Sequence, residues 1–275
     1  MKNILVPVDF SQPSIEAFKF AINLITKSKG SITVLHAIDL PMVVYGSSLD
    51  MPIYTYDVTV RKNLTKNAQD RFQKLIRQYG RSNKKISLKV EEGSVFSVIR
   101  TYSEKRKFDL IVMGTQGATG LREFFIGSNT EKVVRFSRIP VLAIRKSVPV
   151  SSIRNIVYPC SLETGQAGFI KKLKALQHYF QARLHVLYLN TPLNFVRDGE
   201  LNAFVRKNKL TKCTTYIRSD RYEANGINSF VNEIKADMLV MPTHGRKGFA
   251  HWFYGSVTED IVNHIQCPIW TYAMK

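Results

Sequence analysis

The stretch VMGTQGATGLREFFIGSNTEKVV, residues 112–134, ends a short apolar run at a glycine, continues through further glycines and then becomes polar. A near-copy, VMPTHGRKGFAHWFYGSVTEDIV, occupies residues 240–262. Glycines between an apolar run and a helical pattern are typical of a strand–loop–helix unit, because they allow sharp turns and close approach to the backbone. The second occurrence indicates that this unit belongs to a longer repeat.

The repeat extends through most of the chain at two fixed offsets. Equivalent residues in the later part of each copy lie 128 apart: Asp109 and Asp237, Gly127 and Gly255, Pro140 and Pro268. Near the start of each copy the offset is 152, as for Pro7 and Pro159, so the second copy lacks 24 residues. The expected place is the segment after its second strand, where the first copy has a long loop at 39–57. We therefore predict two tandem domains, 1–148 and 149–275.

Within the first copy, short apolar runs alternate with helical patterns. The apolar runs predict strands that are buried on both faces of a sheet, at 4–8, 32–37, 86–90, 110–113 and 141–144. Helices are predicted at 13–26, 58–79, 95–106 and 127–136. This alternation favours an α/β fold of the flavodoxin or Rossmann type, a parallel sheet with helices on both faces. Ligands bind such sheets at the carboxyl ends of the strands, where Asp9 and Gly114 lie.

The glycine spacing suggests an anion site. Gly114 and Gly117, three residues apart, would permit positive φ and let a ligand touch the backbone. Gly127 and Ser128 follow at the start of a predicted helix, where free N–H groups and the Ser128 hydroxyl could bind a phosphate. The alternative is that these are turn and cap glycines that bind nothing. The twofold recurrence in a strand–loop–helix context favours a binding site.

Composition narrows the class of protein. The 275 residues carry a net charge of +19, with +12 in residues 1–149 and +7 in the remainder, so the excess is spread along the chain. Such charge attracts polyanions, but no basic run with interleaved aromatic residues indicates nucleic acid, and we do not expect a nucleic-acid partner. No apolar run is long enough to span a membrane. Three widely spaced cysteines fit a reducing cytoplasm, and we predict a cytoplasmic location.

Three segments resemble the universal stress protein family. They are ILVPVDFS (4–11), ITVLHAID (32–39) and DLIVMGTQGATGLREFFIGSNTEKVVRFSRIPVLAIRK (109–146). The pattern G-x2-G-x9-G-[ST] resembles the ATP-binding signature of that family, and the likeness covers both copies. The resemblance implies a five-stranded parallel sheet of order 3-2-1-4-5 in each domain. It also implies a stress-response role and nucleotide binding at the carboxyl edge of the sheet.

The resemblance assigns the first copy a set of nucleotide contacts. Asp9 would accept hydrogen bonds from the ribose or base, Ala37 would offer backbone groups to adenine, and Ser128 would bind the distal phosphates. The complete implied set for ATP, ADP or AMP is Pro7, Val8, Asp9, Ala37, Met113, Gly114, Gly117, Gly127, Ser128 and Asn129. Any Mg²⁺ would be held mainly by the phosphates, because no second carboxylate is evident there, and we predict no metal ligands from the protein.

The second copy departs from this pattern. Aligning Pro159 with Pro7 puts Ser161 at the position of Asp9, and Pro242 replaces Gly114. Proline removes a backbone N–H and fixes φ. The later part of the motif survives, so that a weaker anion site is expected at Gly245, Gly255, Ser256 and Val257. We predict that the second copy binds nucleotide weakly or not at all.

No convincing catalytic constellation is present. The chain has no G-x4-G-K-[ST] motif, and Glu131 lies in the first turn of a helix, where a surface acid is favourable in any case. We therefore predict no catalytic residues and a nucleotide-binding regulatory protein with at most slow ATPase activity. One alternative is an interaction protein of the same fold that needs no nucleotide. A second is an enzyme resembling the adenine-nucleotide α-hydrolases, although VDFSQPS lacks their S-G-G-x-D-S type of loop.

The resemblance also implies how the domains assemble. Family members usually pair through their last strand, which is an exposed edge in an isolated domain. Here the two last strands, within 140–145 and 268–273, are expected to pair inside one chain, because the tether makes the association intramolecular. The sequence leaves open whether the chain also forms a homodimer through other surfaces.

Overall fold

The structure, a computed structural model, describes residues 1–39, 43–45, 53–55, 58–80, 85–115, 128–162, 165–192, 194–244 and 265–274. We call residues 1–148 the first lobe and residues 149–275 the second lobe, after the predicted division. The elements of the first lobe, in chain order, are β1 (Asn3–Pro7), α1 (Gln12–Ser28), β2 (Ser31–Ile38), β3 (Val43–Tyr45), β4 (Ile53–Thr55), α2 (Val58–Tyr79), β5 (Lys85–Glu92), α3 (Val95–Lys105), β6 (Leu110–Gly114), α4 (Ser128–Phe136) and β7 (Val141–Ile144).

A short 3-10 turn, Val150–Ser152, leads into the second lobe. The described elements of that lobe are β8 (Asn155–Pro159), α5 (Ala167–Phe180), β9 (Arg183–Asn190), α6 (Asp198–Lys207), β10 (Cys213–Ser219), α7 (Glu223–Glu233), β11 (Met238–His244) and β12 (Ile269–Met274). Helix and strand types agree with the predictions in the first lobe, and most ends differ by one or two residues.

Ten of the described strands form one sheet in the order β10-β9-β8-β11-β12-β7-β6-β1-β2-β5. Within each lobe the order is 3-2-1-4-5 and the neighbouring strands are parallel, which confirms the predicted doubly wound α/β fold. The segment 39–57, expected to be a loop, contains an antiparallel hairpin of β3 and β4. Its apolar, β-branched residues explain why it pairs rather than remaining a simple connection.

The third strand of the first lobe was wrongly predicted to be buried on both faces. β5 is the edge of the sheet and pairs only with β2 among the described strands. Its residues alternate between exposed and partly buried positions, because one face packs against α2 while the edge meets solvent. Lys85 and Lys89 on this strand are exposed charges of the kind that discourage pairing with another chain.

The second lobe is shorter in two places rather than one. Between the second strand and the following helix, 19 residues in the first lobe correspond to 7 in the second. The helix itself then shrinks from 22 residues in α2 to 10 in α6. The prediction placed all of the missing residues between the second strand and the next helix. It is right for half of them, and the other half is missing from the helix itself.

Among the described residues, one apolar cluster continues between the lobes, on one face of the sheet. On that face, α1 and α5 pack onto a single cluster that includes Phe18 and Leu24 from the first lobe and Phe169 and Leu173 from the second. On the opposite face each lobe has its own cluster, one around α3 and α4 and the other around α7. The lobes thus share half of their core.

The two last strands meet at the centre of the sheet. β7 and β12 are antiparallel, and Leu142 pairs with Trp270, its equivalent in the repeat. This register puts a local pseudo-twofold axis through the Leu142–Trp270 pair. On the face of the continuous core, the C-terminal ends of α1 and α5 touch, because the Tyr179 hydroxyl donates to the Leu24 carbonyl at 2.6 Å. The expected pairing of the last strands inside one chain is confirmed.

Candidate functional site at the carboxyl edge

A cleft of about 400 Å³ opens at the carboxyl ends of β1, β2 and β6. This volume falls in the range of small-molecule sites, roughly 300–1,000 Å³. Eight of the ten predicted contact residues line it: Pro7, Val8, Asp9, Ala37, Met113, Gly114, Ser128 and Asn129. The other two, Gly117 and Gly127, lie outside the described residues. Residues far apart in the chain therefore converge on one cleft, as the doubly wound fold predicts.

The cleft has two chemically different sides. On the side of α3 the lining is apolar and comes from Leu35, Val95, Ile99 and Met113. On the side where α1 and α4 begin, the lining carries four hydroxyl groups, those of Ser11, Ser14, Ser128 and Thr130. A flat apolar group fits the first side, and a group rich in acceptor oxygens fits the second.

Several of these residues were missed from the sequence. Val95 and Ile99 resemble ordinary core positions of an amphipathic helix, and no motif marks them. Ser14 could have been found, because it follows Asp9 by little more than one helical turn in a segment already predicted to reach the site. Ala37, predicted as the last residue of the second strand, lies within β2, which continues to Ile38.

Asp9 is held in its ionised form. Its Oδ1 atom accepts hydrogen bonds from the Ser11 backbone N–H at 2.9 Å and from the Ser11 hydroxyl at 2.5 Å. Burial alone would raise the pKa of Asp9, but these hydrogen bonds, with a contribution from Ser14, outweigh burial and lower it. The result is a carboxylate acceptor that suits ligand hydroxyl or amino groups and would repel a phosphate.

Gly114 has a different role from the one predicted. The sequence suggested that it permits positive φ, but Gly114 is not among the described glycines with positive φ. It is the last residue of β6, and a Cβ atom there would lie 2.2 Å from the Pro13 carbonyl oxygen in the first turn of α1. The glycine is required because the helix packs directly onto the strand end.

Helix α4 is tied to the end of β6. The buried Thr130 hydroxyl donates to the Gly114 carbonyl at 3.2 Å, and this bond fixes the start of the helix beside the cleft. Ser128 is the first residue of α4 and is exposed. Free backbone N–H groups in the first turn of a helix favour acceptor oxygens and negative charge. The start of α4 therefore presents backbone hydrogen-bond donors to the hydroxyl-lined side of the cleft.

Three side chains stack beside the cleft and support the end of β1. The His36 ring nitrogen Nδ1 lies 2.7 Å from the Val8 carbonyl oxygen, so it carries a hydrogen and donates to that oxygen. The Phe10 ring contacts His36 with a centroid separation of 5.0 Å, and the Arg71 guanidinium lies over Phe10 at 4.7 Å. Phe10 has a left-handed backbone with φ of 62°, so the chain turns sharply after Asp9.

At the equivalent edge of the second lobe, the described residues line a much smaller cavity. The described cavity there has a volume of about 20 Å³, room for a water molecule, and is lined in part by Pro159, Cys160, Ser161 and Glu223. The predicted weaker contacts Gly245, Gly255, Ser256 and Val257 lie outside the described residues.

A buried polar network helps to fill the space in the second lobe. The Tyr158 hydroxyl donates to Gln166 Oε1 at 2.6 Å, and Gln166 Nε2 donates to the Ser161 hydroxyl at 3.2 Å. By the 152-residue offset these three residues replace Val6, Ser14 and Asp9 of the first lobe. The exchange replaces a small apolar residue and a serine by two long side chains that satisfy each other's hydrogen bonds.

Among the described residues, no group of three or more His, Cys, Asp or Glu side chains is arranged to hold a metal ion. In the same part of the chain, none of the helices has the length and apolar character that crossing a membrane requires.

Comparison with known proteins gives one consistent family. The model of the universal stress protein family matches residues 1–145 and 197–272. Universal stress protein MJ0531 of Methanocaldococcus jannaschii is 31% identical over 145 residues, which are 53% of this chain and 82% of that protein. Universal stress protein MJ0577 of the same organism is 25% identical over 154 residues, or 95% of its length.

Solved structures share the two-lobed fold. A universal stress protein from Archaeoglobus fulgidus superimposes with a TM-score of 0.76 over 99% of this chain and 96% of that chain, at 17% sequence identity. A universal stress protein from Pseudomonas aeruginosa gives a TM-score of 0.68 over 99% of this chain and 93% of that chain, at 14% identity. At these identities the likeness concerns the fold alone.

Proposed function

The chain belongs to the universal stress protein family, and we propose that its first lobe binds one adenine nucleotide and acts as a cytoplasmic regulatory module in a stress response. The observation that carries the proposal is the single cleft of about 400 Å³ that brings together eight of the ten expected contacts. ATP, ADP and AMP share the nucleoside that this cleft would recognise.

The two sides of the cleft fit the two ends of such a ligand. The adenine ring would lie on the apolar side against Val95 and Ile99, with backbone groups at Ala37 within its reach. The ionised Asp9 would accept hydrogen bonds from ribose hydroxyls, each net worth about 0.5–1.5 kcal/mol and more for a charged acceptor. The phosphates would approach the N–H groups at the start of α4. Any Mg²⁺ would be held mainly by the phosphates.

The chemistry of the site favours binding over turnover. A general base works best when its pKa is near the working pH, whereas the pKa of Asp9 is lowered and its Oδ1 is already occupied by Ser11. Glu131 is exposed in the first turn of α4, where an acid is favourable without any catalytic role. We expect at most slow ATP hydrolysis. An interaction protein that needs no nucleotide, and an α-hydrolase-like enzyme, are the alternatives.

The second lobe would serve as structural partner of the first. Ser161 cannot replace the charge of Asp9, and the longer Gln166 and Tyr158, joined by a hydrogen bond, stand where the first lobe has Ser14 and Val6. We therefore expect one nucleotide per chain, and any further homodimer would form through surfaces other than β7 and β12.

A matched pair of variants tests the proposal. Isothermal titration of the full chain with ATP should give a stoichiometry near one, and mass spectrometry of the denatured protein should identify co-purified adenine nucleotide. Asp9→Ala should weaken ATP binding by about ten- to a hundredfold, from a loss of about 1–3 kcal/mol. Ser161→Ala, the same position in the second lobe, should leave the affinity unchanged.

Three results would contradict the proposal. Absence of binding in both experiments would favour the nucleotide-independent interaction protein. A stoichiometry near two would show that the second lobe also binds. Rapid release of phosphate or pyrophosphate from ATP would favour the enzyme.

A further inference from the structure

Six exposed cationic side chains, drawn from both lobes, border the junction between them. Their residues are Lys2, Lys27, Lys29, Arg154, Lys172 and Arg183, and we call this group the basic seam. It lies at the amino ends of the strands and is separate from the cleft. Because its members are scattered from residue 2 to residue 183, no basic run marks the seam in the sequence.

Contacts across the junction bring these residues together. The Lys27 Nζ atom donates to the Tyr179 carbonyl at 2.6 Å and lies 5.2 Å from the centre of the Tyr179 ring. Tyr179 is in the last turn of α5 and Lys27 in the last turn of α1. Each helix is followed within a few residues by the second strand of its lobe, β2 or β9. Lys29 and Arg183, which follow these two helices within a few residues, therefore lie close to the contact between the helix ends.

Neighbouring strands extend the seam within each lobe. The Ser31 N–H donates to the Lys2 carbonyl at 2.6 Å, and the Arg183 N–H donates to the Arg154 carbonyl at 2.7 Å. These are equivalent bonds in the two copies. Adjacent strands lie about 4.8 Å apart, so each bond holds two strand starts, and the cations that border them, at close range.

Lys172 connects the second lobe to the first. Burial would raise the pKa of Asp109, but the backbone N–H groups of Lys2 and Asn3 and the positive charge of Lys172 lower it. Asp109 Oδ2 accepts those N–H groups at 2.6 and 3.1 Å. Asp237 has the same role in the second lobe, where it accepts the N–H groups of Arg154 and Asn155. Both carboxylates accept hydrogen bonds from the backbone at the starts of β1 and β8.

The seam offers charge without an apolar anchor. The large apolar side chains that are exposed in the described chain, such as Leu64, Phe136 and Phe195, are not members of it. Tyr179 is the aromatic residue at its centre, and burial raises the pKa of Tyr179 to about 12, so its hydroxyl remains a neutral donor to Leu24. A membrane-surface site would need side chains that insert into lipid, and sequence readout of bases would need donors or stacking rings in a groove.

We propose that the basic seam binds the phosphodiester backbone of a nucleic acid without reading its base sequence. A linear polyanion matches a group of cations that continues from one lobe to the other and has no pocket or apolar centre. This proposal departs from the expectation drawn from the sequence, in which neither a basic run with interleaved aromatic residues nor a nucleic-acid motif indicated such a partner. It does not depend on nucleotide binding in the first lobe.

The experiment compares two triple variants of the full chain. The seam variant is Lys29→Gln with Lys172→Gln and Arg183→Gln, and the control is Lys62→Gln with Lys66→Gln and Lys74→Gln, which removes the same charge from the exposed face of α2. Fluorescence anisotropy would follow binding of fluorescein-labelled DNA, a short duplex and a single strand of mixed sequence, at several KCl concentrations. Circular dichroism would establish that both variants are folded.

Binding by the unmodified chain should weaken linearly as the logarithm of salt concentration rises. In the seam variant, the magnitude of this slope should fall by about 0.9 for each phosphate contact removed. The fall is about 2.7 if all three side chains contact phosphates. The control variant should keep the original slope, and two unrelated duplex sequences should bind equally.

Failure to bind either DNA at low salt would overturn the proposal. An equal loss of affinity and slope in both variants would also overturn the proposal, because the attraction would then depend on the overall charge and not on the seam. Tighter binding to phosphatidylserine vesicles, with the same sensitivity to the seam substitutions, would replace nucleic acid by a membrane surface.

Discussion

The two lobes share their framework and differ at their carboxyl edges. In both lobes an aspartate before the fourth strand, Asp109 or Asp237, binds the backbone at the start of the first strand. In both, the residue after the site position has a left-handed backbone, with φ of 62° at Phe10 and 57° at Leu162. Among the described residues, the cavity nevertheless measures about 400 Å³ in the first lobe and about 20 Å³ in the second, where residues 245–264 lie outside the description. The fold therefore depends on features away from the cleft, which left the second cleft free to change.

Two of the changes belong together. In the first lobe, α1 begins at Gln12 and its first turn packs on Gly114. In the second lobe, Pro242 occupies the glycine position, and α5 begins only at Ala167, three residues later than the equivalent of Gln12. The position equivalent to Pro13 is Gly165, with φ of 86°, outside the helix. Loss of the first helical turn removes the backbone that a side chain on the strand would meet.

Of the changes that test this comparison, separating the two lobes should have the largest effect on the protein. Residues 1–148 expressed alone would expose β7, which in the full chain pairs with β12, and would expose half of the continuous core. We expect a homodimer through β7 or an aggregating species, measured by sedimentation velocity. A well-behaved monomer would show that the pairing of the last strands is dispensable.

Gly114→Ala should have the next largest effect. The added Cβ would lie 2.2 Å from the Pro13 carbonyl oxygen, so α1 or β6 must shift. Overpacking of this kind costs about 1–3 kcal/mol, and more where backbone is involved. Urea unfolding should show the loss. Gly168→Ala in α5 is the control, because its Cβ would meet no atom within 4 Å and alanine favours a helix. Equal midpoints for the two variants would contradict the role assigned to Gly114.

Tyr158→Phe tests the network that fills the second lobe. The substitution leaves the Oε1 atom of the buried Gln166 without its 2.6 Å donor. A buried unsatisfied acceptor costs about 1–3 kcal/mol. The unfolding midpoint should fall while ATP affinity stays the same, because the first lobe is untouched. Tyr222→Phe, at an exposed tyrosine, should change stability by less than about 0.5 kcal/mol. Altered ATP affinity in Tyr158→Phe would show that the second lobe influences the cleft of the first.

The smallest expected difference is in acid sensitivity. Burial, and to a lesser degree Arg183, lower the pKa of His185 in β9, and the equivalent residue in the first lobe is Thr33. A base with a lowered folded pKa binds protons more readily when unfolded. Its contribution to stability is therefore full above the unfolded value of about 6.5 and is lost as pH falls. His185→Gln should reduce the dependence of the unfolding midpoint on pH between neutral and mildly acidic conditions. An unchanged slope would exclude His185 as its source.

Local pattern in the sequence was sufficient for the alternation of strands and helices, whereas the strand order 3-2-1-4-5 and most of the expected cleft residues came from the resemblance to universal stress proteins. Short apolar runs alternating with helices predict the strand–helix order, and the carboxyl-edge rule then brings Asp9 and Gly114 together. The exposure of β5 was missed, although the implied order 3-2-1-4-5 puts this strand at the edge of the sheet, because its apolar residues were interpreted as a run buried on both faces. The reason for Gly114 was missed because its neighbour, Pro13, is a hundred residues away in the chain. Val95 and Ile99 were missed because a cleft wall and a core face have the same helical pattern.

The antiparallel pairing of β7 with β12 has a consequence for subunit exchange. Two separate chains that meet through an edge strand can dissociate and mix with any other chain that offers the same edge. In this chain both edges are used within one polypeptide, so that no other subunit can replace either lobe. The one-to-one ratio of the two kinds of lobe is thereby set during translation, and it does not vary with the cellular concentrations of related proteins.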